Sequence, residues 1–401
     1  MRRVVVTAAG SINALGRGVA AFAAALREGR SGIGEISLFD PTGYRTRYAA
    51  QVAELEPPAG LSPAVLRRAS RSDLLALVAA EEALRSSGWQ GERDGIGLVL
   101  GGSTGGMLAS EEYCRRTTLG IAGAKPSMAL GTPVSTSGDF VAHVYGCHGP
   151  RLAISTACSS GGNALGIAAD WIRQGKAQAV LSGGTDSLCR MTFSGFNSLQ
   201  ALDPAPCRPF DRDRAGLSLG EGAAMFLLED LDHARARGAR IQAELLGYGV
   251  SADAHHITQP RPDGGSAALA LARALAESGV SRDDIDYVNA HGTATPANDA
   301  TETRALKHCL GARAYRIPVS STKSITGHCL AAAGAIEALA CIIALREQFV
   351  PPTVGLVHPD PECDLDYVPG EARPTALRTV ASSSYGFGGN NTTIVLRRFE
   401  D

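Results

Sequence analysis

Nine cysteines are spread along this sequence, and one of them stands where a thiol could act as a nucleophile. Cys158 follows the short apolar stretch 152–155 and precedes a helix predicted over 161–174, with small residues in the turn between them. Free N–H groups at the start of a helix carry partial positive charge, which favours a thiolate over a thiol. A sharp strand-to-helix turn also lifts the side chain out of the core. We therefore predict a nucleophile at Cys158; the alternative is a small buried hydrophobe, the role predicted for the other eight cysteines.

Two histidines stand in comparable settings in the second half of the chain. His291 follows the apolar stretch 287–290 and precedes small residues that leave room for the arm of a substrate. His328 ends the stretch 321–328, at the start of an Ala-rich helix. Two imidazoles at strand ends, together with one thiol, favour a catalytic group over isolated core residues. Metal binding is the competing use, but the sequence has no HExxH motif and no CxxC pair, so no metal site is predicted.

A glycine-rich segment, 386–391, precedes the last predicted strand. Its glycines permit positive φ angles and close approach of the backbone to a ligand. It does not match a phosphate-binding loop, because no GK[ST] follows and no helix is predicted to begin there. The segment predicts a hinge around Phe387 or a turn that donates amide N–H groups; the alternative is a plain tight turn.

The elements that must position these residues alternate between short apolar runs and Ala-rich stretches, which is typical of an α/β fold. A strand, a turn of small residues and an Ala-rich helix occur in this order after Ile154 and again after Ser320. The repetition predicts two similar halves, residues 1–240 and 241–401. Two unrelated α/β units are the alternative.

Composition and charge exclude several classes of function. The 401 residues are 44% hydrophobic and 19% charged, which excludes general disorder, and the formal charge of −2 argues against a nucleic-acid binder. Unpaired cysteines predict a reducing compartment, which we take to be the cytoplasm. The apolar stretch 329–345 contains Glu337 and is short for a membrane span, so a buried helix is predicted there and no membrane association. Ser62 and Pro63 predict the start of another helix, running towards Ser87.

Four stretches resemble the elongating β-ketoacyl-[acyl-carrier-protein] synthases of the FabF (KAS II) type. They are Thr-Ala-Cys-Ser-Ser-Gly, Asn-Ala-His-Gly-Thr-Ala-Thr-Pro, Ser-Ser-Thr-Lys-Ser-Ile-Thr-Gly-His and Gly-Phe-Gly-Gly-Asn-Asn. The resemblance covers essentially the whole chain and implies a thiolase-like fold of two pseudo-symmetric halves in a five-layered αβαβα arrangement. It implies acyl carrier protein as partner, with substrates on its phosphopantetheine arm and no further cofactor. A homodimer is implied, and a heterodimer with a second ketosynthase-like subunit stays open.

The resemblance also implies roles for the residues singled out above. Cys158 would accept the acyl group from its carrier. His291 and His328 would hold the carbonyl of the malonyl thioester while decarboxylation builds an enolate. The backbone N–H groups of Cys158 and Phe387 would bind the oxyanion formed when the acyl group is attacked.

Further residues are implied as supports of this chemistry. Lys323 matches the family's active-site lysine and would orient His328, unless it is purely structural. Glu302 is implied as the ion-pair partner of Lys323, with Asp299 close by. Thr293 and Thr295 resemble hydroxyls that bind the pantetheine arm.

Phe387 also resembles the acyl gate of the family, and the segment 253–264 resembles the loop that the gate contacts. Local basic side chains could receive the acidic carrier protein despite the nearly neutral net charge, although a solvated surface is the alternative. These are Arg67, Arg68, Lys125, Arg208, Arg212 and Arg214.

Three positions depart from the family pattern and leave the substrate open. Tyr385 stands where Phe is more common, and Asn390 where Thr is common. Thr104 matches an acyl-pocket position that is often aliphatic, and its hydroxyl would favour a shorter, polar or unsaturated chain. Fatty-acid elongation is therefore the main expectation, and polyketide or polyene assembly by the same chemistry is the alternative. A degradative thiolase would need a thiol in 386–391, and a silent chain-length subunit would lack the reactive cysteine.

Overall fold

A computed structural model describes residues 2–400 of the chain. The strands are β1 Val4–Asn13, β2 Gly16–Arg17, β3 Gly34–Glu35, β4 Tyr48–Ala49, β5 Ile96–Gly101, β6 Arg151–Ile154, β7 Ala179–Asp186, β8 Gly222–Asp230, β9 Ala243–Ala252, β10 Tyr287–Asn289, β11 Val319–Ser320, β12 Phe349–Val350, β13 Arg373–Pro374, β14 Thr379–Gly386 and β15 Asn390–Arg397. The helices are α1 Val19–Glu28, α2 Pro63–Arg68, α3 Arg71–Ser86, α4 Met107–Thr118, α5 Thr136–Tyr145, α6 Ser160–Arg173, α7 Arg190–Ser198, α8 Leu231–Ala236, α9 Gly265–Ser278, α10 Pro296–Leu310, α11 Lys323–Thr326 and α12 Ala333–Glu347.

The main sheet has 11 strands, which are two five-stranded halves with the same topology and the short β2, which pairs with β1. The strand order is β11-β10-β14-β15-β9 in one half and β1-β8-β7-β5-β6 in the other. Counted outward from β1, the first two strand pairs of one half are antiparallel and the last two are parallel. The other half, counted outward from β9, has the same pattern. The halves meet where β1 and β9 pair at Val5–Glu244 and Val6–Ala243. The predicted pseudo-symmetry is therefore present in the strand pairing, and residue 240 lies between α8 and β9.

Helices α6 and α12 form the layer between the two halves of the sheet. Helix α6 contacts β5 and β7 of one half and β9 and β15 of the other, and α12 contacts β14, β7 and β8. Their backbones approach closely at glycines, because a Cβ on Gly161 would meet the backbone N of Ala335 at 2.8 Å. Helix α3 packs outside one half and α9 outside the other, so the layers follow the predicted αβαβα order.

Two helix predictions have different outcomes. The helix predicted from Ser62 towards Ser87 is two helices, because Ser70 caps α3 through a reciprocal capping box with Asp73 and the chain is extended at Ala69. The buried helix predicted within 329–345 is confirmed as α12, on which Glu337 is also buried. Between residues 2 and 400, no helix has the length and apolar character needed to cross a membrane.

Candidate active site

Cys158 lies in the tight connection between β6 and α6, as predicted. Ala157, just before it, has a φ of 52°, a left-handed conformation that is strained for a residue with a side chain. Side-chain hydrogen bonds hold this turn: the Thr156 N–H donates to Ser160 Oγ at 2.9 Å, and Ser160 Oγ donates to the Ala157 carbonyl at 2.5 Å. The strained turn directs the thiol towards the second half of the molecule, with 6% of the residue exposed.

The protonation state of Cys158 differs from the prediction. Burial raises the pKa of its thiol to about 11, whereas the charge of Lys323 and a hydrogen bond from the Phe387 N–H act in the opposite direction. The sequence predicted a thiolate favoured by the start of α6, and that prediction is wrong for the resting protein. Removal of the sulfur from water outweighs the local positive potential, so Cys158 rests as a thiol.

His291 and His328 face each other beside Cys158. Their ring centroids are 5.4 Å apart with an interplanar angle of 87°, and both residues are almost completely buried. Lys323 Nζ donates to His291 Nδ1 at 3.2 Å, and the Leu330 N–H donates to His328 Nδ1 at 3.2 Å. Because each Nδ1 accepts a hydrogen bond, we assign the proton of each neutral ring to Nε2.

Both imidazoles are neutral. Burial lowers the pKa of His291 and of His328 well below its usual value, and the nearby charge of Lys323 lowers each further. Two neutral rings with Nε2–H groups can donate hydrogen bonds to one oxygen atom. The pair is therefore suited to stabilise negative charge that develops on that oxygen.

Lys323 forms its ion pair with Glu337 on α12, and both side chains are 1% exposed. The prediction that Glu302 is its partner is wrong. Lys323 hydrogen-bonds to His291 and not, within residues 2–400, to His328, but its charge lowers the pKa of both rings, so its predicted influence on His328 stays a prediction. Lys323 begins α11, and α12 brings Glu337 back to it across the central layer. This arrangement depends on packing between helices and cannot be read from the local sequence.

Glu302 and Asp299 hold the turn that follows His291. Glu302 accepts the N–H groups of His291 at 2.8 Å and of Gly292 at 2.7 Å, and Asp299 accepts the Ala294 N–H at 3.1 Å. Ala294 has a φ of 67°, so this turn is strained and needs such restraints. The two carboxylates thus position His291 through the backbone.

Phe387 stands beside Cys158 and stacks on Phe196 of α7, with ring centroids 5.3 Å apart. The glycine-rich segment contacts the predicted partner loop, because the Gly388 N–H donates to the Ile257 carbonyl at 2.8 Å and the Asp253 N–H to the Gly389 carbonyl at 2.9 Å. The predicted contact between the segment containing Phe387 and the loop 253–264 is therefore present.

One cavity, of about 680 Å³ including the space open to solvent, contains the reactive side chains. Cys158, His291, His328, Phe387, Thr293 and Thr295 are among its lining residues. Thr104 is not, and its hydroxyl donates to Asp186 at 2.6 Å. The Thr104 hydroxyl thus binds a buried carboxylate and does not line this cavity, and its predicted effect on the acyl chain stays a prediction.

The basic residues predicted for carrier docking differ in exposure. Arg67, Arg68, Lys125 and Arg212 are exposed, and Arg208 is partly buried. Arg214 is buried, with its side chain 4% exposed, and it pairs with Asp299 and Asp360. The prediction that Arg214 is available to a carrier is wrong, because internal carboxylates occupy its guanidinium.

Sequence comparison assigns the family. Residues 1–234 match the model described as "Beta-ketoacyl synthase, N-terminal domain", and residues 242–357 match "Beta-ketoacyl synthase, C-terminal domain". The chain belongs to the beta-ketoacyl synthase family. The resemblance inferred from the four sequence stretches is confirmed.

Individual family members match over their full length. The "3-oxoacyl-[acyl-carrier-protein] synthase 2" of Synechocystis sp. is 40% identical over 412 residues, which cover 100% of this chain and 99% of the relative. The "Tetracenomycin polyketide synthase ketoacyl synthase alpha subunit" of Streptomyces glaucescens is 41% identical over 419 residues, with coverage of 99% and 97%.

Solved ketosynthases share the fold. "The ishigamide ketosynthase/chain length factor" superposes with a TM-score of 0.94 at 36% identity, over 100% of each chain. The AntDE:AntF complex, a type II polyketide ketosynthase with its acyl-carrier protein, superposes with a TM-score of 0.92 at 33% identity, again over 100% of each chain. The predicted thiolase-like fold is confirmed by these ketosynthase structures.

Two residues of the beta-ketoacyl synthase site were not assigned to it from the sequence. Glu337 is the one carboxylate in the apolar stretch 329–345, and in the sequence it served only as an argument against a membrane span. A buried charge needs a partner, and Lys323 is the one that this helix meets. Phe196 carries no local signal, because its role depends on its stacking with Phe387.

Proposed function

We propose that this chain is a β-ketoacyl-[acyl-carrier-protein] synthase that extends an acyl chain by decarboxylative Claisen condensation. A single observation carries the proposal: one cavity is lined by a cysteine and by two neutral imidazoles whose Nε2–H groups are free to donate. This chemistry does not need the second thiol that a degradative thiolase would use. The steps below use only side chains of this cavity and the two thioester substrates.

In the first step Cys158 takes the acyl group from its carrier. The acyl carbon–sulfur bond to the carrier breaks, a bond to Cys158 Sγ forms, and the proton of the thiol ends on the departing carrier thiolate. The Phe387 N–H, which hydrogen-bonds to the sulfur in the resting protein, and the Cys158 N–H stabilise the tetrahedral oxyanion. Because one thiol is exchanged for another, no net proton is taken up or released.

In the second step a malonyl thioester enters the same cavity. Its carboxylate leaves as CO₂, and the electron pair of the broken C–C bond forms an enolate whose oxygen accepts hydrogen bonds from His291 and His328. The enolate carbon then attacks the acyl carbonyl, the new C–C bond forms, and Cys158 leaves as a thiolate. The thiolate then takes up one proton from the solvent, the one proton that the overall reaction consumes, and because the pKa of the thiol is about 11 this restores the resting thiol.

Thr293 and Thr295 belong to the same cavity as Cys158 and the two imidazoles. Both line the cavity, and their hydroxyl oxygens are 3.0 Å apart. We propose that they hydrogen-bond the pantetheine arm of acyl carrier protein. The exposed Arg67, Arg68, Lys125 and Arg212 and the partly buried Arg208 remain the proposed docking residues. Their positive charge would complement an acidic carrier.

Fatty-acid elongation is the proposed pathway, and type II polyketide or polyene assembly is the second candidate. Both use the steps above, and relatives bearing names of each kind match this chain at 40% and 41% identity. A homodimer is the proposed assembly. A heterodimer with a second ketosynthase-like subunit is the alternative, since a solved neighbour is named as a ketosynthase with a chain length factor. Multi-angle light scattering of the purified chain distinguishes a self-associating protein from one that needs a partner.

Intact-protein mass spectrometry tests the proposal. The protein is incubated with a panel of acyl carriers of different chain length and oxidation level, and the added mass identifies the accepted chain. Cys158→Ala should abolish the adduct and chain extension with malonyl carrier, whereas Cys147→Ala, which removes a buried thiol outside the cavity, should retain both. Chain extension by Cys158→Ala at the parent rate would overturn the proposal.

A further inference from the structure

Asp186, at the end of β7, is a buried carboxylate that receives five hydrogen bonds. Its side chain joins two segments that are far apart in sequence. The donors are the Ser103 N–H at 3.2 Å, the Thr104 N–H at 2.8 Å, the Thr104 hydroxyl at 2.6 Å, the Ser103 hydroxyl and the Ala331 N–H at 2.8 Å. The reaction steps described above use none of these groups.

The hydrogen bond between Ala331 and Asp186 lies next to Leu330, the residue that orients His328. Leu330 donates its N–H to His328 Nδ1, and it does so with a φ of 52°. A left-handed leucine is strained, and such a conformation persists only where the surroundings impose it. The hydrogen bond from the Ala331 N–H to Asp186 supplies a restraint on this turn at the next residue.

We propose that Asp186 is a positioning residue that keeps His328 in its Nε2–H tautomer by holding the turn at Leu330. This inference rests on the proposed function, in which His328 donates to the enolate oxygen. If the Leu330 N–H turned away, the proton could move to Nδ1. The lone pair of Nε2 would then face the enolate oxygen and repel it.

The expected defect is confined to the second step. The backbone of His328 has its own anchors, because its N–H donates to the Ser218 carbonyl at 2.7 Å and its carbonyl accepts the Gly220 N–H at 2.9 Å. The turn that carries Cys158 is held by Ser160 rather than by Asp186. The negative charge of Asp186 raises the pKa of Cys158, so an uncharged replacement is not expected to raise that pKa further.

The test measures the two steps separately in Asp186→Asn. Acyl transfer is followed by mass spectrometry of the Cys158 adduct, and condensation by a single turnover of the pre-acylated enzyme with malonyl carrier. We expect condensation to fall by about 10- to 100-fold, part of the loss typical for a missing oxyanion donor, and acyl transfer to stay within about threefold. Ser103→Ala removes a hydroxyl from the same carboxylate but keeps the Ala331 contact, and it should stay within about threefold in both steps.

Two further variants separate positioning from a general structural role. Leu330→Gly removes the strain, so the double variant Asp186→Asn/Leu330→Gly should regain condensation to within about threefold of Leu330→Gly alone. In a His328→Asn background, Asp186→Asn should cause no further loss. If Asp186→Asn alone does not fold, the test uses the condensation rates of Leu330→Gly and of the double variant.

Three results would overturn the inference. They are an equal loss in both steps, no loss in either, or a double variant that stays more than about tenfold below Leu330→Gly. Failure of the proposed function would look different, because the parent protein itself would then form no adduct at Cys158 or would not extend it.

Discussion

Lys323→Met removes the positive charge from an ion pair that water does not reach. Lys323 and Glu337 are each 1% exposed, and loss of one partner from a buried pair typically costs about 3–5 kcal/mol of unfolding free energy. Burial already raises the pKa of the Glu337 carboxyl to about 7, and without the lysine it must rise further. At low pH the carboxyl can take up a proton, which reduces the cost.

The sign of the pH dependence follows. A carboxyl whose folded pKa lies above its unfolded value stabilises the fold most below the unfolded value, near 4.5, and that contribution is lost as the pH rises through the folded value. We therefore expect Lys323→Met to cost about 1 kcal/mol near pH 5.5 and about 3–5 kcal/mol near pH 8.5. The measurement is urea unfolding at both pH values.

A matched substitution and a double variant serve as controls. Lys307→Met removes a lysine from the pair with Asp364, whose side chains are 29% and 45% exposed, and it should cost at most about 1 kcal/mol at either pH. Lys323→Met/Glu337→Gln should cost less than the sum of its single variants, because neither charge is left alone. Equal, pH-independent costs for Lys323→Met and Lys307→Met would refute the reasoning.

Three further predictions use other buried groups. The rate at which iodoacetamide alkylates Cys158 should rise about tenfold per pH unit between about pH 7 and 9, because its pKa is about 11, and a plateau below about pH 8 would contradict this. Burial raises the pKa of Glu302 from 4.5 to about 7, so its stabilising contribution is lost as the pH rises through that range. In the parent protein this loss should lower the free energy of unfolding by about 3 kcal/mol, and Glu302→Gln should not show it. Urea unfolding at several pH values measures the difference, and the same pH profile in both proteins would contradict the prediction. Arg214→Gln should cost about 3–5 kcal/mol of unfolding free energy because it leaves Asp299 unpaired, whereas the exposed Arg212→Gln should cost less than about 0.5 kcal/mol; similar losses would contradict the assignment.

Local sequence signals were sufficient for the reactive groups. Cys158, His291 and His328 each stand at a strand end beside small residues, and turns of this kind are encoded within about ten neighbouring positions. The repeated strand–turn–helix order also predicted two similar halves, and the sheet has them. Strand ends and turns of this kind are determined by the residues that neighbour them in the sequence.

The contacts of the charged residues could not be predicted in the same way. Lys323 pairs with Glu337 instead of Glu302, and Arg214 turns inward to Asp299 and Asp360, because helix packing decides which charges meet. Spacing along the chain does not give these distances.

The sequence by itself determined the family and singled out Cys158 and the two imidazoles as candidate site residues, since these depend on short motifs and on their order. Only the tertiary structure decided how those groups are charged and held. The start of α6 would favour a thiolate, yet the pKa of Cys158 is raised because the surrounding protein excludes water. Desolvation depends on everything that covers a side chain, and most of that cover comes from distant parts of the chain.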